Sequence, residues 1–225
     1  MGEAPSQARV APIDAVLFDL DGTLLDSVPL ILDSFRHAFA VCGHVLPPPA
    51  ELSRAIGIPL RSFFASLGKT EAELNSLVAV YRAFNLAHHD ERVRAFPGAV
   101  EMVNDVRRRG FRTALVTSKS RSTAARGLEV MGLAGAMDAI VSCDDVTRPK
   151  PDPEPVARAS TLLGVEPARA VFVGDSLHDL HSGRLAGVYT AAALWGPFGR
   201  ADLEPGAPDY WLETPADLQA LLEPA

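Results

Sequence analysis

Only two cysteines, Cys42 and Cys143, occur in 225 residues, far apart and in no CxxC pair. That scarcity excludes a disulfide-stapled scaffold and a cysteine-rich zinc module, and two reduced core thiols are expected instead. Long apolar runs are missing as well. None approaches the ~18 residues that crossing a bilayer takes, so no membrane partner is expected. Positive charge is in the minority: 21 Lys and Arg against 28 Asp and Glu leave a net charge of −7, which argues against a nucleic-acid partner. The adjacent His88 and His89 cannot share one helix face, so they make a poor metal pair. The opening MGEAPSQARVAP lacks the apolar centre of a signal peptide. Residues 1–12 therefore read as a disordered lead on a cytoplasmic protein. The oligomeric state is not legible.

What is present supports a packed core: 48% of residues are hydrophobic and 22% charged. Short apolar runs recur at residues 13–18, 112–118, 139–143, 170–174 and 188–194, each suited to a strand buried on both faces. Helical patterns separate them, at residues 98–110, 122–133 and 154–163. Strands alternating with helices predict an α/β fold, a Rossmann-like parallel sheet with helices on both faces. The rhythm breaks between Asp26 and Pro97, where only helical patterning is found. Val28, Leu30, Ile31, Phe35, Ala38 and Phe39 mark one amphipathic helix; Thr70 with Glu73 opens another as a capping box. Residues 27–93 therefore read as a helical cap inserted into a core made of residues 13–26 and 94–225.

In an open parallel sheet, chemistry gathers beyond the carboxyl ends of the strands, where the strand order reverses. The first strand runs into Asp19-Leu20-Asp21-Gly22-Thr23, and the second into Thr117-Ser118-Lys119. Lys150 follows the third inside RPKPDP, and the fourth ends in GDSLHD with Asp175 and Asp179. Four carboxylates in one crevice repel one another unless a hard cation offsets them, and Mg2+ suits an all-oxygen site that also meets a phosphate. Lys150, Thr117 and backbone amides supply donors for phosphoryl oxygens. The set reads as phosphoryl transfer with an aspartate nucleophile.

These four segments, DLDGT, the strand ending in Thr117, Lys150 between two prolines, and GDSLHD, resemble the four motifs of the haloacid dehalogenase superfamily in order and spacing. The helical insertion looks like that superfamily's C1-type cap. The resemblance implies that Asp19 attacks phosphorus, and that Asp21 protonates the leaving oxygen and then activates water. It implies Mg2+ on Asp19, the Asp21 carbonyl and Asp175, with Asp179 acting through a water or anchoring Lys150. Thr117, the Ser118 amide and Lys150 would hold phosphoryl oxygens. Cap linkers near residues 26–29 and 94–97 would let the cap open and close.

The presence of Asp21 argues against carbon–halogen chemistry, and an intact motif set argues against a non-catalytic phosphometabolite sensor. A β-phosphoglucomutase-like enzyme is a weaker reading of DGTLLDS. The expected substrate is a small anionic phosphate. SRAIGIPLRSFF, residues 53–64, resembles the specificity loop of phosphoglycolate phosphatases, with Arg54, Gly57 and Arg61 as candidate specificity residues. Residues 144–156 with GDSLHD look more like pyrophosphatase members. Phosphoglycolate is the first expectation and pyrophosphate the alternative.

Overall fold

The computed structural model describes residues 12–223, so the expected N-terminal lead lies outside the described residues except for Pro12. Strand β1 (Ala15–Phe18) is fully buried, as its unbroken apolar run requires. The chain turns into a two-residue strand, β2 (Leu25–Asp26), and leaves the sheet for α1 (Val28–Val41), α2 (Pro49–Arg54), α3 (Leu60–Ser66) and α4 (Glu71–Arg92). It returns through β3 (Arg94–Ala95), antiparallel to β2, with Leu25 opposite Ala95 and Asp26 opposite Arg94. This small ribbon ties the entry of the insertion to its exit. Sequence patterning had no means of showing it, because two residues carry no period.

Then follow α5 (Ala99–Arg108), β4 (Arg112–Val116), α6 (Arg121–Val130), β5 (Ala139–Val141) and α7 (Glu154–Leu163). The chain closes with β6 (Ala170–Gly174), α8 (Leu177–Ala186), β7 (Tyr189–Ala193), α9 (Arg200–Leu203), β8 (Tyr210–Leu212) and α10 (Asp217–Leu221). Six strands form one parallel sheet in the order β5-β4-β1-β6-β7-β8. Strand β1 lies at the point where the chain switches sides, flanked by β4 and β6, with Phe18 opposite both Leu115 and Val173. The expected α/β sheet is therefore present with one additional edge strand. The three residues of β8 lie between Pro208 and Pro215, too short a run to read as a strand.

Alternate residues of β1 serve the two faces. Val16 and Phe18 pack with Val103, Val106 and Leu128 of α5 and α6, whereas Ala15 and Leu17 pack with Val156 and Ala159 of α7. The insertion has its own apolar cluster, in which Phe35 of α1 meets Phe63 and Phe64 of α3 edge-on at 4.9 and 5.7 Å. The Thr70 capping box forms: its amide donates to Glu73 Oε2 at 2.8 Å. Cys42 and Cys143 are free thiols but only half-buried, which corrects the expectation of core cysteines. Cys42 packs against the edge of the insertion's apolar cluster just past the end of α1, and Cys143 lies in the turn after β5. No helix among the described residues is long and apolar enough to cross a membrane.

Candidate active site

Asp19 follows β1 directly and is 3% exposed, yet it lines a cavity of about 410 Å3 between sheet and insertion. Its Oδ1 accepts from Lys150 Nζ at 2.8 Å, and the same ammonium donates to Asp179 Oδ1 at 2.6 Å and to the Val116 carbonyl at 3.2 Å. Burial alone disfavours the Lys150 charge. The Asp179 and Asp19 carboxylates more than offset this, so its pKa is held above the ordinary lysine range. Asp179 does two things at once. Its Oδ2 accepts from the Ser176 amide and hydroxyl and caps α8, while its Oδ1 anchors Lys150.

Asp175, after β6, is equally buried. Thr23 Oγ1 donates to its Oδ1 at 2.7 Å, whereas its Oδ2 has no hydrogen-bond partner. A buried carboxylate oxygen with no donor is costly in a protein that holds nothing there, and a cation supplies what is missing. One oxygen each from Asp19, Asp175 and Asp179 lie within 4.8 Å of one another. The residues therefore fit a metal ion, with Asp19 and Asp175 offering the freer oxygens. Burial, then the Asp179 charge, pushes the Asp19 pKa up to about 7, and burial followed by Asp179 and Asp19 raises Asp175 well above the usual carboxylate range. Gly22 is required here: its φ is +87°, and a Cβ would stand 2.3 Å from Asp175 Oδ2.

Asp21 extends toward the insertion. Its Oδ1 accepts from Lys119 Nζ at 2.6 Å and from the Ser27 hydroxyl. Thr117 follows β4 directly, is buried, and lines the cavity with Ser118. The Ser118 hydroxyl donates to the Gly57 carbonyl at 2.6 Å, which leaves its amide for another acceptor and bolts the 55–59 loop onto the core. A second bridge joins the halves, where Arg126 of α6 grips Asp90 of α4 with two bonds at 2.7 and 3.0 Å.

The candidate specificity residues divide. Gly57 faces the core directly, and a Cβ there would be 3.3 Å from Ser176 Oγ. Arg61 lines the cavity, but its guanidinium is held by Glu71 and, at 2.9 Å, by Asn75 Oδ1. Arg54 ends α2, and its side chain lies outside the described residues. Sequence reading missed Lys119 as the partner of Asp21, and missed Arg82, Tyr81 and Cys143 as cavity walls. Burial and the neighbouring Asp144 push the Cys143 thiol up to about 11, so it stays protonated.

A buried carboxylate–lysine–carboxylate triad on the floor of a cavity, at the switch point of a parallel sheet, defines a phosphatase of the α/β class. The chain belongs to the haloacid dehalogenase-like hydrolase family, whose model matches residues 16–193. It is 37% identical over 209 residues to the pyrophosphatase PpaX of Bacillus velezensis, covering 92% of this chain and 94% of that one. With PpaX of Bacillus cereus the identity is 38% over 210 residues, 93% and 96% of the two chains. Among solved structures, a haloacid dehalogenase-like hydrolase from Streptococcus pneumoniae superposes with a TM-score of 0.80 at 26% identity, covering 94% of this chain and 99% of that one. A Lactobacillus plantarum protein proposed to be a phosphoglycolate phosphatase gives 0.81 at 26%, covering 94% and 100%.

Proposed function

We propose that the protein hydrolyses inorganic pyrophosphate in a Mg2+-dependent reaction that passes through an aspartyl phosphate on Asp19. The observation that carries this is the floor of the cavity, where Asp19 faces outward, Lys150 lies behind it, and Asp175 keeps an unpartnered oxygen. Close similarity to pyrophosphatases over nearly the whole chain supports the choice of substrate. Phosphoglycolate is the second reading, favoured by the Gly57-Ile58-Pro59-Leu60 loop in the cavity wall and by the Lactobacillus structure.

In the proposed reaction an Asp19 oxygen forms a bond to phosphorus as the bridging P–O bond breaks. Asp21 gives the departing oxygen its proton, then takes one from the water that cleaves the acyl phosphate and frees inorganic phosphate. Thr117, the Ser118 amide and Lys150 hold the transferred oxygens. Mg2+ on Asp19, Asp175 and the Asp21 carbonyl would offset the charge of carboxylates and phosphoryl group together. The helices of residues 27–93 act as a lid that excludes water while the acyl phosphate exists.

Purified protein with Mg2+ is expected to release phosphate from pyrophosphate with a kcat/KM at least about tenfold above that for phosphoglycolate, in keeping with ~1.4 kcal/mol of discrimination. The reverse order in a phosphate-release assay would favour the second reading.

The metal has its own test. An acid whose folded pKa lies above its unfolded value binds its proton more tightly when folded. Its contribution to stability therefore declines as pH rises from 3.8 to about 7 for Asp19, and the raised Asp175 acts in the same direction. Mg2+ competes with those protons. A saturating ion at ~100 times its Kd contributes ~2.7 kcal/mol, a rise in Tm of ~5–10 °C for a chain of this size. The rise is expected near pH 8 and to shrink toward pH 5 in a thermal melt. An equal shift at both, or none, would refute the metal site.

A further inference from the structure

We infer that Arg82 of α4 and Lys119 after β4 form a cationic clamp for the charged leaving half of the substrate, an assignment that rests on the phosphatase reading above. Both line the one cavity that holds Asp19 and Asp21, Arg82 from the helical insertion and Lys119 from the sheet. If Asp21 protonates the departing oxygen, whatever that oxygen carries lies beyond Asp21. Lys119 stands there, with Nζ 2.6 Å from Asp21 Oδ1. An ammonium has three N–H donors, and among the described residues only Asp21 accepts from this one. Two donors remain for a ligand.

Arg82 is conspicuous by comparison with its neighbours. Arg36 and Arg92 bind Asp33, Arg61 binds Glu71, and Arg126 binds Asp90. Arg82 makes no ion pair or hydrogen bond among the described residues, although it is exposed on a helix with many acids. The positions one turn away are Val78, Ala79, Asn85 and Leu86, none of them an acid that could engage it. Its charge reaches across the cavity to the Cys143 thiol of the opposite wall. The one acid on that wall, Asp144, is already engaged by the Arg121 backbone amide at 2.8 Å. A planar guanidinium left open in a pocket with apolar walls, Ile31 and Phe35 among them, suits a phosphate or carboxylate in bidentate contact. Cations on both walls also mean that a doubly charged leaving group draws the insertion toward the sheet.

The test compares two substrates on Arg82→Met and Arg82→Lys. Pyrophosphate has a charged leaving group; p-nitrophenyl phosphate has a leaving group with no charge beyond the scissile oxygen. For Arg82→Met the ratio of kcat/KM for pyrophosphate to that for p-nitrophenyl phosphate is expected to fall roughly 10- to 100-fold, mainly through KM. Arg82→Lys restores the ratio to within about fivefold of wild type, since it keeps the charge and loses the fork. A loss shared equally by both substrates, or no loss, would overturn the clamp while leaving the proposed function in place. A wild type that turns over p-nitrophenyl phosphate but neither pyrophosphate nor phosphoglycolate would overturn both. Melting curves of the two variants guard against a folding effect, and wild-type Tm is expected because Arg82 is exposed and makes no ion pair or hydrogen bond among the described residues.

Discussion

Asp19→Asn is expected to abolish phosphate release, with turnover falling by about 10⁴-fold or more, while the variant folds as the wild type does. Size and shape are conserved, so the buried packing around β1 is undisturbed. Lys150 loses one charged partner but keeps Asp179 at 2.6 Å, so the cation is still paired. One of three close carboxylates is neutralised, which relieves repulsion that the wild type carries. An amide cannot deliver an oxygen nucleophile that leaves again as a carboxylate, and this defect reaches every substrate alike. Acid quenching during turnover is expected to trap phosphate on the wild-type chain, in a linkage that hydroxylamine cleaves, and none on the variant. Turnover of Asp19→Asn within tenfold of wild type would remove Asp19 from the nucleophile's role.

The parts of this site written at strand ends were legible, because the parallel sheet converts sequence position into spatial position. Asp19, Thr117 and Asp175 each follow a buried strand directly, and strands in register bring those ends together. Lys150 was legible for a different reason: it stands between two prolines in the chain that crosses from β5 to β6, on opposite sides of β1, and those prolines fix the backbone that aims its side chain. The pairing of Lys119 with Asp21 spans 98 positions and depends on side-chain reach rather than on backbone register. No period or motif announces it. Asp179 seemed to offer a choice between helix cap and catalytic anchor, and the two oxygens of one carboxylate remove the choice.

The helical insertion was legible as helices and not as a cavity wall. Hydrophobic period showed which face of α1 and α4 is apolar, and Phe35 and Leu77 are buried there. Which residues meet the sheet depends on how the insertion is seated, and that is set by contacts such as Ser118 with Gly57 and Arg126 with Asp90. These are single polar contacts between distant segments. Arg61 therefore read as a substrate ligand and is held by Glu71 and Asn75, whereas Arg82 drew no reading from the sequence and stands in the cavity.

Lys150→Met should destabilise the metal-free protein by ~3–5 kcal/mol, the usual cost of leaving a buried partner unpaired. At ~2–4 °C per kcal/mol for a chain of this length, Tm falls by about 10 °C. Methionine fills the lysine's volume, so the loss reports charge rather than a cavity. Asp19 and Asp179 would then face each other with no cation between them, and ionising Asp19 becomes harder; the deficit should grow as pH rises through neutrality. Two further measurements separate this account from a packing defect. Adding Asp179→Asn to Lys150→Met is expected to recover part of the stability, because it removes the charge left behind while an amide oxygen can still cap α8. Saturating Mg2+ is expected to raise the Tm of Lys150→Met more than that of wild type, since the ion then supplies the only positive charge near those carboxylates. Activity should stay lost in all these variants even where stability returns, for Lys150 also faces the transferred phosphoryl oxygens in the proposed reaction. A double variant no more stable than Lys150→Met, together with equal Mg2+ shifts, would mean that Lys150 supports the fold by packing and not by pairing with the buried Asp19 and Asp179 carboxylates.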